Sequence, residues 1–134
     1  MKSVELGKGR VFVLTIDTDE SIKGCIEEFC KSNGIKGAKV TILGGIQRGS
    51  TFVCGPSLTN GEVGAPIKPL TYTTDEPTVF LGVGTIFLNE DGEPVMHLHG
   101  TLGRQGMSVT GCFRERALAW LTMEVIIEEL VGDL

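Results

Sequence analysis

Short runs of apolar residues separated by turn-forming residues recur along this sequence, and the pattern predicts a protein built mainly of β-strands. The candidate strands are rich in β-branched and aromatic residues. They span residues 10–16, 38–43, 49–54, 68–73, 79–88, 95–102, 107–113 and 122–127. Gly44-Gly45 is predicted to end the second strand, and residues 60–69 are predicted to form a loop. Gly82 and Gly84 share one strand face, where a neighbouring segment can approach closely.

Only one segment has the period of an amphipathic helix. Apolar residues recur at helical spacing over residues 22–29 and form a single stripe. Asp17 or Thr18 is the expected N-cap, acidic residues 19–20 are expected in the first turn, and Asn33-Gly34 is the expected end. One helix among many strands joined by short turns predicts an α+β fold, a mostly antiparallel sheet with one main helix packed on it.

Length and charge restrict the classes of protein that this sequence can represent. A chain of 134 residues suits one domain, over residues 1–134. The net charge is −5 and no basic cluster is present, so direct nucleic-acid binding is not expected. No apolar stretch reaches the roughly 18 residues that a membrane span needs. Without an apolar signal region before Gly9, a cytoplasmic location with reduced cysteines is expected.

The only histidines, His97 and His99, lie two residues apart on a predicted strand. Side chains at this spacing point to the same face of a sheet, so both imidazoles can reach one metal ion. The simpler interpretation is that the two histidines are solvated polar residues or hydrogen-bonded groups in a pocket. The spacing alone does not decide between these interpretations.

The strand that follows adds a third candidate ligand. If Arg104 and Gln105 form a two-residue turn, His97 pairs with Cys112 and His99 pairs with Thr110. Two imidazoles and a thiolate favour zinc or a similar divalent ion and leave a fourth coordination position open. A shift of one residue in this register would move the thiol to the opposite face.

Further side chains are candidates for a ligand pocket beside these histidines. Thr110, Arg114 and Glu124 are expected to line it, although charged residues are usually solvated surface groups. Glu124 is the candidate general base if its strand neighbours the histidine hairpin. No nucleophile elbow, phosphate-binding loop or dinucleotide fingerprint occurs in the sequence.

The run from Gly84 to Leu102, GTIFLNEDGEPVMHLHGTL, resembles the signature of the PPC domain, also known as the domain of unknown function 296. The opening strand GRVFVL, the helix ending in Asn33-Gly34 and the segment ILGGIQR over 42–48 are also similar to this family of plants and prokaryotes. The resemblance extends over essentially the whole chain. It implies an α+β fold with an antiparallel sheet, assembled as a homotrimer.

The resemblance also bears on the candidate site. Members of the family often carry a third histidine in a Gly-Gly-His context, and the matching positions here are Thr110-Gly111-Cys112. In plant members the domain follows AT-hook segments that bind DNA, but the Arg-Gly-Arg-Pro motif is absent from this sequence. Stand-alone prokaryotic members have no assigned activity. The family name therefore does not transfer DNA binding to this chain.

Three functions follow from these observations. The first is a trimeric module that binds a metal ion or a small ligand at His97, His99 and Cys112. The second is a metal-dependent hydrolase or lyase acting on a small molecule, in which an ion lowers the pKa of bound water to about 7. The third is a DNA-associated regulatory protein that acts through partners.

Overall fold

An antiparallel sheet of eight strands dominates the structure, a computed structural model that describes residues 1–134. The elements in chain order are β1 (Gly7–Asp17), α1 (Ile22–Ser32), β2 (Gly37–Ile46), β3 (Thr51–Pro56), β4 (Leu58–Thr59), β5 (Glu62–Val63), β6 (Pro69–Thr73), β7 (Thr78–Leu88), β8 (Pro94–Arg104), β9 (Met107–Phe113) and β10 (Ala119–Val131). The strands of the large sheet follow the order β1-β10-β2-β7-β8-β9-β3-β6. The predicted α+β class and antiparallel pairing are confirmed.

The two faces of this sheet have different surroundings. Helix α1 lies on one face, which we call the covered face, and its residues Ile22, Ile26 and Cys30 are buried there. Alternate strand residues meet the helix and one another to form the core, including Val40, Ile42, Phe80, Ile86, Leu98, Met123, Val125 and Ile127. The remaining strand positions form the open face. No helix in the structure is both long enough and apolar enough to span a membrane.

The helix begins later than the sequence pattern predicted. Its N-cap is Ser21, whose hydroxyl accepts a hydrogen bond from the Gly24 amide at 3.2 Å. Asp17 is the last residue of β1, and Asp19 adopts a left-handed turn conformation (φ 69°) that reverses the chain direction. The predicted cap at Asp17 or Thr18 is therefore wrong, because those residues are needed in the strand and the turn. The predicted end at Asn33-Gly34 is confirmed.

Gly44 and Gly45 do not end β2, which continues to Ile46. They instead make room for an irregular stretch of β10, where the pairing shifts between Trp120 and Met123. A Cβ atom on Gly44 would lie 2.7 Å from the Met123 Cα atom, so only glycine allows this close approach. The predicted loop over 60–69 begins at the turn of a short hairpin, whose strands β4 and β5 have two residues each.

An ion pair ties the edge strand β1 to β10 on the covered face. Arg10 Nε donates to Glu129 Oε2 at 2.8 Å, and the Arg10 backbone amide donates to the same oxygen at 3.0 Å. Arg10 also donates to the Asn33 carbonyl at 2.9 Å, which links the pair to the end of α1. The hydrogen bonds that the Arg10 side chain and backbone amide donate to Glu129 lower the pKa of Glu129 to about 2.

Candidate metal site

The hairpin formed by β8 and β9 sets the register of the candidate ligands. Arg104 pairs with Met107, so the two-residue turn is Gln105-Gly106, with φ values of 53° and 76°. Left-handed conformations at both positions define a type I′ turn, in which glycine is favoured at the second position. The predicted turn at Arg104-Gln105 is wrong for this reason.

Because the turn is displaced, the residues that pair across β8 and β9 differ from the predicted pairs. The face of the sheet on which each side chain lies is unchanged. Cys112 lies opposite His99 rather than His97, and Thr110 lies opposite Thr101. The register differs from the predicted one by two residues, which is one full period of a strand. The Cys112 thiol therefore still emerges on the open face beside both imidazoles.

The three candidate ligands converge. One ligand atom from each of His97, His99 and Cys112 lies within 4.8 Å of the other two. The two imidazole rings are nearly perpendicular, at 87°, with their centroids 4.9 Å apart. Both histidines are exposed and Cys112 is half-buried, so the cluster is open to solvent on one side. We call these three residues the His-His-Cys cluster.

The covered side of β8 holds the two histidines in place. Met96, Leu98 and Gly100, which alternate with them, are buried. A Cβ atom on Gly100 would lie 2.9 Å from Phe80 Cε2, so the residue after His99 is held against an aromatic ring. The Met96 amide donates to the Glu27 carboxylate at 2.8 Å, which anchors the start of β8 to helix α1.

The donor set fits a divalent metal ion. Bond lengths of about 2.0–2.3 Å to nitrogen and sulfur imply ligand-to-ligand distances of about 3.3–3.6 Å around a tetrahedral zinc ion. The ligand atoms of the His-His-Cys cluster, which lie within 4.8 Å of one another, would rotate toward that range to hold such an ion. Exposed imidazoles are free to make such rotations. Three protein ligands leave one position open, which is the arrangement of metal sites that bind a further ligand.

The other predicted pocket residues are distributed unevenly around the cluster. Thr110 is exposed on the open face, two residues before Cys112. Arg114 follows Cys112 by two residues and borders a groove beside Val53. Glu124 lies on β10, and three strand spacings of about 4.8 Å separate β10 from β8. The expected adjacency of Glu124 to the histidine hairpin is therefore not found.

One neighbour of the cluster was not identified from the sequence. Val53 on β3 pairs directly with Cys112, so its side chain flanks the thiol on the open face. This pairing joins residues far apart in the chain, and no local signal predicts it. An apolar residue beside the open side of the cluster gives any bound ligand an apolar surface to contact.

The fold and the cluster define a class of protein: an antiparallel α+β sheet protein with two histidines and a cysteine converging on its open face. The sequence matches the Plants and Prokaryotes Conserved (PCC) domain over residues 3–131. The chain belongs to this family, as the GTIFL…HLHGTL run predicted. No curated protein gives a significant match to the sequence.

Solved structures from archaea and bacteria have the same fold. A metal-containing protein from Archaeoglobus fulgidus superimposes with a TM-score of 0.82 at 23% identity, covering 99% of this chain and 88% of that chain. A plant- and prokaryote-conserved protein from Pyrococcus horikoshii gives a TM-score of 0.80 at 21% identity, covering 99% and 87%. A candidate DNA-binding protein from Bacteroides thetaiotaomicron gives 0.68 at 18% identity, covering 92% and 83%.

Proposed function

We propose that this protein is a homotrimeric binding module that holds one divalent metal ion, favouring zinc, at His97, His99 and Cys112. The observation that carries the proposal is the convergence of two imidazole nitrogens and one thiol sulfur within 4.8 Å. The similar protein from Archaeoglobus fulgidus, which is described as metal-containing, supports it. The open fourth position would take a donor atom from a small molecule.

Metal analysis of the protein purified without chelator tests this proposal. Elemental analysis after incubation with zinc and gel filtration should find one ion per chain. The double substitution His97→Ala and His99→Ala should remove the ion, and Cys112→Ala should weaken its retention. Cys25→Ala is the matched control, because Cys25 is a half-buried thiol on helix α1, outside the cluster. Wild-type protein that retains no zinc, or variants that retain as much as wild type, would contradict the proposal.

The trimer is proposed on the family resemblance and on the character of the open face. Several large apolar side chains are exposed on this face near the His-His-Cys cluster, including Leu43, Val79, Leu81 and Val83. A contiguous exposed apolar surface of this kind is typical of an interface with another protein. Light scattering should therefore give a mass of about three chains, with the metal sites near the interfaces.

The position of Glu124 favours a ligand-binding function over a catalytic one. That carboxylate was the candidate proton acceptor, and it lies three strands away from β8. A bound ion alone would still polarise water or a carbonyl group, as a metal-dependent hydrolase or lyase requires. Compounds that stabilise the metal-loaded protein and are recovered unchanged would support the binding module over the enzyme.

A further inference from the structure

A groove beside the His-His-Cys cluster combines apolar walls with one guanidinium group. It has a volume of about 740 Å³, within the range typical of small-molecule sites. Its apolar lining comes from β3, from β5 and from the segment leading into β6, and the charge comes from Arg114. The residues that line it include Val53, Pro56, Val63, Ile67, Pro69 and Arg114. We call it the Arg114 groove.

Arg114 differs from the arginines that have a protein partner. Arg10 is paired with Glu129, and Arg48 lies 3.4 Å from Glu76. Arg104 donates to the Pro77 carbonyl at 3.2 Å. The Arg114 side chain has neither a hydrogen bond nor an ion pair, and apolar side chains border it. Its five N–H donors are thus available to an anion from outside the protein.

The groove lies next to the strand that carries Cys112. Val53, which lines the groove, pairs with the metal-ligand candidate Cys112 across strands β3 and β9. Arg114 follows Cys112 by two residues along the chain. A small molecule in the groove would therefore lie beside Val53, the residue that pairs with Cys112.

We propose that the Arg114 groove binds a monocarboxylate with an apolar chain or ring. A guanidinium group pairs with a carboxylate through two parallel hydrogen bonds, which suits a single unpartnered arginine. The apolar tail would cover Val63 and Ile67, which are 50% and 70% exposed without it. The inference deepens the proposed function by naming its ligand class, and it rests on that function only for the role of the metal.

Calorimetry with straight-chain carboxylates tests the proposal on the full-length, zinc-treated protein. Octanoate should bind, and affinity should rise about fourfold for each added methylene between hexanoate and decanoate. Octan-1-ol and octylammonium should bind at least about tenfold more weakly, because neither supplies a carboxylate to Arg114. Equal affinity for octanoate and octan-1-ol would overturn the assignment of the charged end.

Substitutions at the two arginines after β9 provide a matched control. Arg114→Gln should weaken octanoate binding at least about tenfold, while Arg114→Lys should retain part of the affinity. Arg116→Gln should leave it unchanged, because Arg116 is also exposed but does not line the groove. Ile67→Asp should also weaken binding by placing a negative charge beside the tail. Arg114→Gln with wild-type affinity would overturn the proposal.

The same samples separate this inference from the metal proposal. Their zinc content is measured independently of octanoate binding. Zinc-loaded protein that fails to bind octanoate would overturn the Arg114 groove and leave the metal site standing. Octanoate binding that depends on Arg114 in the His97→Ala and His99→Ala variant would support the groove, whatever the fate of the metal proposal.

Discussion

The two faces of the sheet are built from alternate residues of the same strands. Side chains of the covered face pack within the chain, whereas those of the open face remain exposed. On β8, Met96 and Leu98 are buried on the covered face, whereas His97 and His99 are exposed on the open face. The covered face finds its partners within the chain, in helix α1 and the aromatic cluster. The open face presents the His-His-Cys cluster and apolar side chains that the chain leaves uncovered. Because the covered face supplies the core, residues of the open face are free to vary without loss of core packing.

Adjacent residues on β7 test this division most strongly. Phe80 is 3% exposed and packs between Phe52 and Phe113, with ring centroids 5.7 and 5.5 Å away. Its neighbour Leu81 is 57% exposed on the open face. Phe80→Ala should lower the free energy of unfolding by about 3–5 kcal/mol, a large part of the stability of a domain of this size. Urea denaturation followed by circular dichroism measures the change.

The matched substitution on the open face is Leu81→Asp. The chain should keep its strand spectrum and cooperative unfolding, while light scattering should show its mass falling from three chains toward one. A Leu81→Asp protein that fails to fold would contradict the division, since it would place Leu81 in the core. A variant that stays fully assembled would remove this part of the open face from the proposed interface.

Zinc binding should raise the free energy of unfolding, and this increase should depend only on the ligand residues of the open face. Zinc at 100 times its dissociation constant would add about 2.7 kcal/mol, which corresponds to a rise of about 10 °C in the unfolding temperature. Chelation should reverse the rise, and the His97→Ala and His99→Ala variant should show none. Without zinc, that variant should unfold near the wild-type temperature, because both histidines are exposed. An equal zinc-induced rise in the variant would contradict the assignment of the ligands.

The sequence predicted the parts of this picture that depend on local patterns. The strands, the helix stripe and the shared face of His97 and His99 follow from residue spacing within short segments. Cys112 lies on the same face as the two histidines although the turn is one residue from its predicted position, because this displacement shifts the pairing register by two residues, which is the period of side chains on a strand. A shift of one residue in the pairing register would have moved Cys112 to the covered face and removed the cluster.

The order of the strands could not be predicted in the same way. Strand β10 lies between β1 and β2 in the sheet. Glu124 on β10 is therefore three strands away from the histidines on β8. Strand β3 lies beside β9, and this pairing brings Val53 to Cys112. Both are contacts between segments distant in the chain, which local propensity does not encode. The continuation of β2 through Gly44 likewise depends on the irregular pairing of β10 against it.

Glu128 and Glu129 are adjacent residues of β10 that lie on opposite faces of the sheet. Their substitution is expected to change the stability less than the substitutions above. Glu129 is nearly buried on the covered face, and its hydrogen bonds to Arg10 lower its pKa to about 2, from an ordinary value of 4.5. Its charged form is therefore favoured by folding. This contribution to stability is complete above pH 4.5 and is lost as the pH falls from 4.5 toward 2. Glu129→Gln should lower the unfolding temperature by a few degrees at neutral pH, as thermal denaturation would measure.

The pH dependence of this difference identifies its cause. The gap between wild type and Glu129→Gln should narrow as the pH falls toward 2, where the wild-type carboxyl group also becomes neutral. Glu128→Gln is the matched control, because Glu128 lies on the open face and its ion-pair partner is Lys39, at 3.8 Å. Its effect should be close to zero, as is usual for a long ion pair at a surface. A difference in unfolding temperature between wild type and Glu129→Gln that stays constant from neutral to acidic pH would contradict this. It would show that the shape of the glutamate, rather than its charge, stabilises the contact between β1 and β10.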